Sequence, residues 1–239
     1  MNSIIDWPPP FTLQPSLRAG TVRLQICARK GLRLIVPSGF DPKKALEVLH
    51  KHRDWIERTW LRVQPLLIAE SEVLPQQLHL QALAEVWDVS YEPKDIASVR
   101  IKVIETEGLL SVSGQVQDHA KVKLALRKWL HNHAQNYLFP WLEGLSKETG
   151  LDYTQARIRN THTRWGSCSS KKNISLSCKL LFINPLLVEH VLLHELCHTV
   201  HFNHAKPFWD LLKSFSPNTD LLRKELKHAS RAMPLWLEK

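Results

Sequence analysis

No stretch of about 18 consecutive apolar residues, the length a membrane-crossing helix needs, occurs in this 239-residue chain. The greasiest region, LLFINPLLVEHVLLHELCHTV, is broken by Asn184, Pro185, Glu189 and His190. Cysteine is scarce: Cys27, Cys168, Cys178 and Cys197 form no CxxC pair, so reduced thiols are expected, although Cys168 and Cys178 could meet across a hairpin. The opening MNSIIDWPPP has neither a basic start nor a continuous apolar run and does not read as a signal peptide. Repeats and low-complexity tracts are missing, and there are only eight glycines. These absences leave a soluble, cytoplasmic, globular protein with no membrane partner as the expectation.

What is present is a composition of 44% hydrophobic and 23% charged residues, in a chain long enough for one large domain or two small ones. The formal net charge is +9 and uneven: residues 1–150 hold 19 Lys and Arg against 16 Asp and Glu, residues 151–239 hold 13 against 7. A basic carboxy-terminal half raises encounter rates with acidic partners, nucleic acid included. It has no long basic run and no stacking aromatic motif beside one, so solvated side chains are the favoured explanation of the excess.

Val22, Leu24 and Ile26, then Leu32, Leu34 and Val36, alternate on either side of ARKG and predict a β-hairpin. Asp41 and Pro42 open a helical stretch through KKALEVLHKHRDWIERTWLRV. Residues 65–95 read either as two strands or as a helix around LQALAEVW. A second hairpin is expected in VRIKVIETEGLLSVSG, turning at Glu107 and Gly108, and Asp118 caps a helix running to about Thr149. Two strands joined by SSKKN follow; Asn184 caps and Pro185 starts the next helix, and shorter helices begin at Pro207 and near Asp220. The expected class is α+β, with a β-rich region containing one helical segment over 1–115 and a compact catalytic unit over 116–239.

The segment HELCHTVHFNH, residues 194–204, carries the chemistry. On a helix His194 and His198 lie about 40° apart around the axis and about 6 Å along it, so both imidazoles can reach one ion. Glu195, one residue round, can reach a water on that ion without displacing it. Zinc takes nitrogen ligands, keeps a fourth position open in catalytic sites and brings the pKa of a water to roughly 7; the glutamate then accepts its proton as a carbonyl is attacked. Unpaired polar groups interrupting the apolar helix PLLVEHVLL would be costly, which a purely structural reading leaves unexplained. His201 lies about 10.5 Å along the axis from His194, too far to complete the set on a straight helix. His204 could converge if the helix stops first, with Asn203 as a left-handed terminal residue. Spacing alone leaves His162, His201, His228 and Glu225 as rivals. His190 and His201 are expected to support the ligands or to face solvent.

RWGSCSSKKNISLS, a short linker with NP, and HELCHTVHFNHAKPFW together resemble the YgjP-like metallopeptidase domain, related to the SprT and WLM zinc-protease families. The resemblance is strongest over 164–212, with Trp55, Ile56 and the first hairpin matching more loosely. It implies a zincin-type fold, an active-site helix packed on a small mixed or antiparallel sheet, with His194, His198 and His204 on one zinc ion and Glu195 as catalytic base. It further implies that Arg164, Trp165, Gly166 and Ser167 belong to an edge strand along the cleft, where an extended peptide or protein substrate adds its backbone; the alternative is that Trp165 is core and Gly166 a bulge. Gly166 would permit close approach, and Arg164 would hold a carboxylate, polarise a carbonyl or form a structural salt bridge. Where metzincins carry glycine this chain has His201, and Met233 in SRAMPLW is assigned to packing of the tail.

The leading expectation is thus a zinc-dependent metallopeptidase. One alternative is a SprT- or WLM-like protease acting on DNA-bound proteins, which activity indifferent to DNA would reject. The other is a non-catalytic, zinc-stabilised nucleic-acid-binding module, which would need a fourth ligand from Cys168, Cys178 or His162 and leaves Glu195 without a purpose.

Overall fold

A computed structural model describes residues 7–27, 31–160, 164–230 and 232–237. Contacts divide the chain into two compact units, Met1–Val73 and Leu74–Leu237. In the first, strands β1 (Phe11–Ser16), β2 (Arg23–Cys27) and β3 (Gly31–Pro37) form a sheet of order β1-β3-β2. β2 and β3 are the expected antiparallel pair, and their connection, 28–30, lies outside the described residues. β1 runs parallel to β3 and was not read from the sequence. The expected single helical stretch is interrupted: Asp41 caps a 3-10 turn at Pro42–Lys44, accepting from Lys43 N at 3.0 Å, and α1 (Ala45–Lys51) and α2 (Arg53–Glu72) follow, separated by His52. Leu32, Leu34 and Val36 alternate onto the face that packs with Ala45, Leu49, Ile56 and Trp60.

The second unit begins with a four-stranded mixed sheet. It holds β4 (Gln77–Leu80), β5 (Glu85–Pro93), β6 (Val99–Ile104) and β7 (Leu109–Gly114) in the order β4-β5-β7-β6. The ambiguous 65–95 segment therefore yields the strand pair, with a 3-10 turn at Gln81–Leu83 in place of a longer helix. Gly108 closes the expected β6–β7 hairpin with φ of 59°. Asp118 caps α3 (His119–Thr149), accepting from Lys121 N at 3.0 Å, and Gly150 ends it at φ 70°. Val122, Leu126, Leu130, Ala134, Leu138 and Leu142 form a buried stripe along α3. That stripe shares one core with Leu78, Leu80, Trp87, Val89, Leu110 and Val112. Hence the contact boundary falls at Val73, whereas the sequence grouped 77–114 with the amino-terminal region.

Beyond α3, β8 (Gln155–Arg159), β9 (Gly166–Cys168) and β10 (Asn173–Ser177) form a mixed sheet of order β8-β10-β9. β9 and β10 are the pair expected around SSKKN; β8, parallel to β10, is an additional strand. Cys168 faces Ile174 across the ladder, not Cys178, and Cys168, Cys178 and Cys197 are free thiols. Then come α4 (Pro185–Cys197), α5 (Lys206–Phe215) and α6 (Thr219–Ala229), with Met233 buried in the core. The chain is α+β, with small mixed sheets and six α-helices among the described residues. None of these helices is long and apolar enough to cross a membrane.

Candidate metal centre

Asn184 and Pro185 start α4: Asn184 Oδ1 accepts from Leu186 N at 2.9 Å, and Pro185 occupies a position where no N–H is needed. Leu187, Val188, Val191, Leu192, Leu193, Leu196 and Cys197 are all buried, so from its second turn on the helix lies largely in the interior. His194, Glu195 and His198 are polar groups set where each needs a partner.

α4 ends at Cys197, with His198 still in helical conformation. The continuation to a left-handed Asn203 does not occur: among the described non-glycine residues only Ala84 and Lys172 have positive φ. The chain leaves the helix sooner because Thr199 N and Val200 N turn back onto the carbonyls of Leu196 and Cys197, at 2.9 and 3.1 Å. His198 Nδ1 also donates to the His201 carbonyl at 2.8 Å. Asn203 shapes the return differently, its Oδ1 accepting from Ala205 N at 3.1 Å.

This return brings His204 to the other two rings. The Nε2 atoms are 3.2 Å apart for His194 and His198, 3.1 Å for His198 and His204, and 3.2 Å for His194 and His204. A carbonyl can only accept, so His198 Nδ1 carries the hydrogen and its Nε2 presents a lone pair. Zinc–nitrogen bonds of about 2.0–2.1 Å in a tetrahedral site separate the nitrogens by about 3.3–3.4 Å, close to the observed spacing. The trio therefore has the chemistry and dimensions of a cation-binding set. Among the described residues no other three His, Cys, Asp or Glu side chains converge in this way, and His201, His228 and Glu225 are not drawn in. His162 lies outside the described residues.

α5 walls the rings. Phe208, fully buried, stacks on His198 with centroids 4.5 Å apart and meets His194 and His204 edge-on at 4.9 and 4.8 Å. Trp209 stacks on His204 at 5.4 Å, and its Nε1 donates to the His204 carbonyl at 2.9 Å. Sequence reasoning gave neither residue a role. The available signal was the spacing of Phe208 and Leu212 on a helix with Pro207 in its first turn, which marks Phe208 as the first inward residue.

Burial disfavours the charged imidazolium, and with the neighbouring His198 and His204 it pushes His194 down to about 3; burial also lowers His198. Both rings are then neutral near pH 7, the form that binds metal. His190, one turn earlier and 2% exposed, is bonded through Nδ1 to Ser216 Oγ at 2.9 Å, and burial sends it down to about 4.

Glu195 is 4% exposed, and its Oε2 has no hydrogen-bond partner among the described residues. Burial pushes its carboxyl up to about 8 against the pull of the Arg164 guanidinium; a divalent cation at the three nitrogens would draw it down again. Its side chain lies against β9. A Cβ added to Gly166 would sit 2.6 Å from Glu195 Oε1, 2.7 Å from Cγ and 2.8 Å from Cδ. The space that Gly166 leaves by lacking a Cβ is thus taken by the Glu195 side chain.

β9 is an edge strand, paired only with β10 among the described residues, and Trp165 O accepts from Ser177 N at 2.8 Å just ahead of it. Arg164, Trp165 and Gly166 line a cleft of about 290 Å³ with His194, Glu195 and Arg223; Ser167 is not among its walls.

Converging imidazoles backed by a buried carboxylate, on an apolar helix of an α+β unit, have the make-up of a metal-binding protein. The family model described as YgjP-like, metallopeptidase domain, matches residues 20–229. The chain belongs to that family, one of metal-dependent peptidase domains. No curated protein and no solved structure matches the chain significantly.

Proposed function

We propose that the chain is a zincin-type zinc peptidase in which His194, His198 and His204 hold one zinc ion and Glu195 is the general base. The observation that carries this reading is the triangle of Nε2 atoms, 3.1–3.2 Å on a side, next to a buried carboxylate. Zinc in such a site supplies Lewis acidity and brings a water to a pKa of roughly 7. With the ion bound, Glu195, whose Oε2 has no hydrogen-bond partner among the described residues, would be the group to take up the proton of the attacking water and to hand it to the leaving amine. The absence of a fourth converging protein donor among the described residues favours an open, catalytic site over a closed structural one. An extended substrate adds to the edge of β9 through its backbone, with Arg164 and Trp165 beside it.

Purified protein should contain one zinc per chain by elemental analysis and should digest an unfolded protein substrate. A chelator should stop the digestion and added zinc restore it. Metal well below stoichiometry in active protein would overturn the reading.

Gly166→Ala tests how the base is positioned. The added methyl overlaps the Glu195 carboxyl, and neither partner yields easily: one is paired to Leu176 in the sheet, the other is buried. Overpacking of this kind costs about 1–3 kcal/mol. A displacement of Glu195 by about 1 Å should lower kcat roughly a hundredfold. Zinc content should be unchanged, since no ligand moves; denaturation curves and single-substrate kinetics read both effects.

A further inference from the structure

Arg223 on α6 lines the cleft beside His194 and Glu195. Its guanidinium lies over the Trp209 ring, 4.3 Å from the centroid, and Trp209 in turn stacks on His204. This stack of cation on indole on imidazole ties the charge to the metal centre. The ionic neighbour of Arg223 among the described residues is Asp220 at 3.9 Å, beyond hydrogen-bond length, and Asp220 is itself engaged by Lys213 at 3.0 Å. Arg164 brings a second guanidinium to the same walls, where Glu195 is the one carboxylate among the described residues. Such a cleft attracts anions and repels cations.

We propose that Arg223 is a specificity-determining residue that receives a substrate carboxylate close to the scissile bond, from an acidic side chain or from a free peptide carboxy terminus. A guanidinium is planar whatever its surroundings, and one held over an indole at 4.3 Å loses freedom while its fork of N–H groups keeps the geometry a carboxylate accepts through two parallel hydrogen bonds. The assignment rests on the peptidase reading above.

The test is a positional scan of quenched fluorescent peptides in which Glu or Gln occupies each place in turn, each peptide made with a free and with an amidated carboxy terminus. The best acidic peptide should exceed its neutral partner in kcat/KM by at least about fivefold, carried in KM. Arg223→Gln should bring the ratio near unity. Arg223→Lys, which keeps the charge but not the fork, should give an intermediate value. An effect confined to Glu and Gln pairs identifies a side-chain carboxylate; one confined to free and amidated pairs identifies the terminal one. A wild-type protein with no such preference, or a preference that survives Arg223→Gln in protein with full zinc content, overturns the assignment. Calorimetric binding of the same peptides to zinc-loaded Glu195→Gln protein reads the discrimination without turnover. Failure of the wild type to cleave any peptide therefore counts against the peptidase reading, and equal affinity for acidic and neutral peptides counts against Arg223.

Discussion

Glu195→Gln should retain one zinc per chain and lose at least about a thousandfold in kcat, within the range a positioned general base contributes. The amide has nearly the same shape as the carboxyl, so it fits against Gly166, where the space is too tight for even one added methyl group. It cannot accept a proton from water, and among the described residues no other carboxylate lines the cleft to substitute for it. Stability should not fall. Burial already disfavours the ionised form of Glu195, and a neutral amide carries no such desolvation cost. Elemental analysis, thermal denaturation and single-substrate kinetics on the same preparation separate the outcomes. Full activity with glutamine present would show that the proton goes elsewhere, whereas loss of zinc would show that residue 195 supports the ion.

The elements that local chemistry writes into the sequence lie where that chemistry puts them. Asp118, Asn184 with Pro185, and Gly108 each act within a turn or two of themselves, so the starts of α3 and α4 and the β6–β7 turn are legible. Pairings between distant segments are not. β1 beside β3, β5 beside β7 and β8 beside β10 are all parallel, and a parallel pair has no tight turn to announce it. The boundary at residue 73 is hidden for a related reason: nothing near residue 115 reveals that Leu110 and Val112 share a core with Leu126 and Leu130. At the candidate site, the helical period brings His194 and His198 together. The return of His204 depends on a backbone acceptor, the His201 carbonyl, which sequence patterns do not display. The same holds for Gly166. Its φ does not demand glycine; the missing Cβ matters because Glu195 occupies the space, a contact between residues 29 positions apart.

Single alanine substitutions at His194, His198 and His204 should each remove stoichiometric zinc and reduce peptide hydrolysis to background, while His201→Ala and His228→Ala keep the metal. The contrast is informative because His201 contributes to the centre only through a carbonyl that alanine also has. The three damaging variants should differ in stability. His198 stacks on Phe208 and donates to His201, so its loss leaves a carbonyl short of a donor and should cost about 1–3 kcal/mol even without metal. His204 is exposed on the return segment and its ring makes no hydrogen bond to the backbone among the described residues, so its loss removes only the packing on Phe208 and Trp209 and should cost the metal-free fold less than the loss of His198. Zinc at a hundredfold excess over its Kd should stabilise the wild type by about 2.7 kcal/mol, or roughly 5–10 °C in Tm for a unit of this size. That shift should vanish in all three variants and persist in the two controls. A shift retained by His204→Ala but lost with His228→Ala would move the third ligand to α6 and undo the assignment of the return segment.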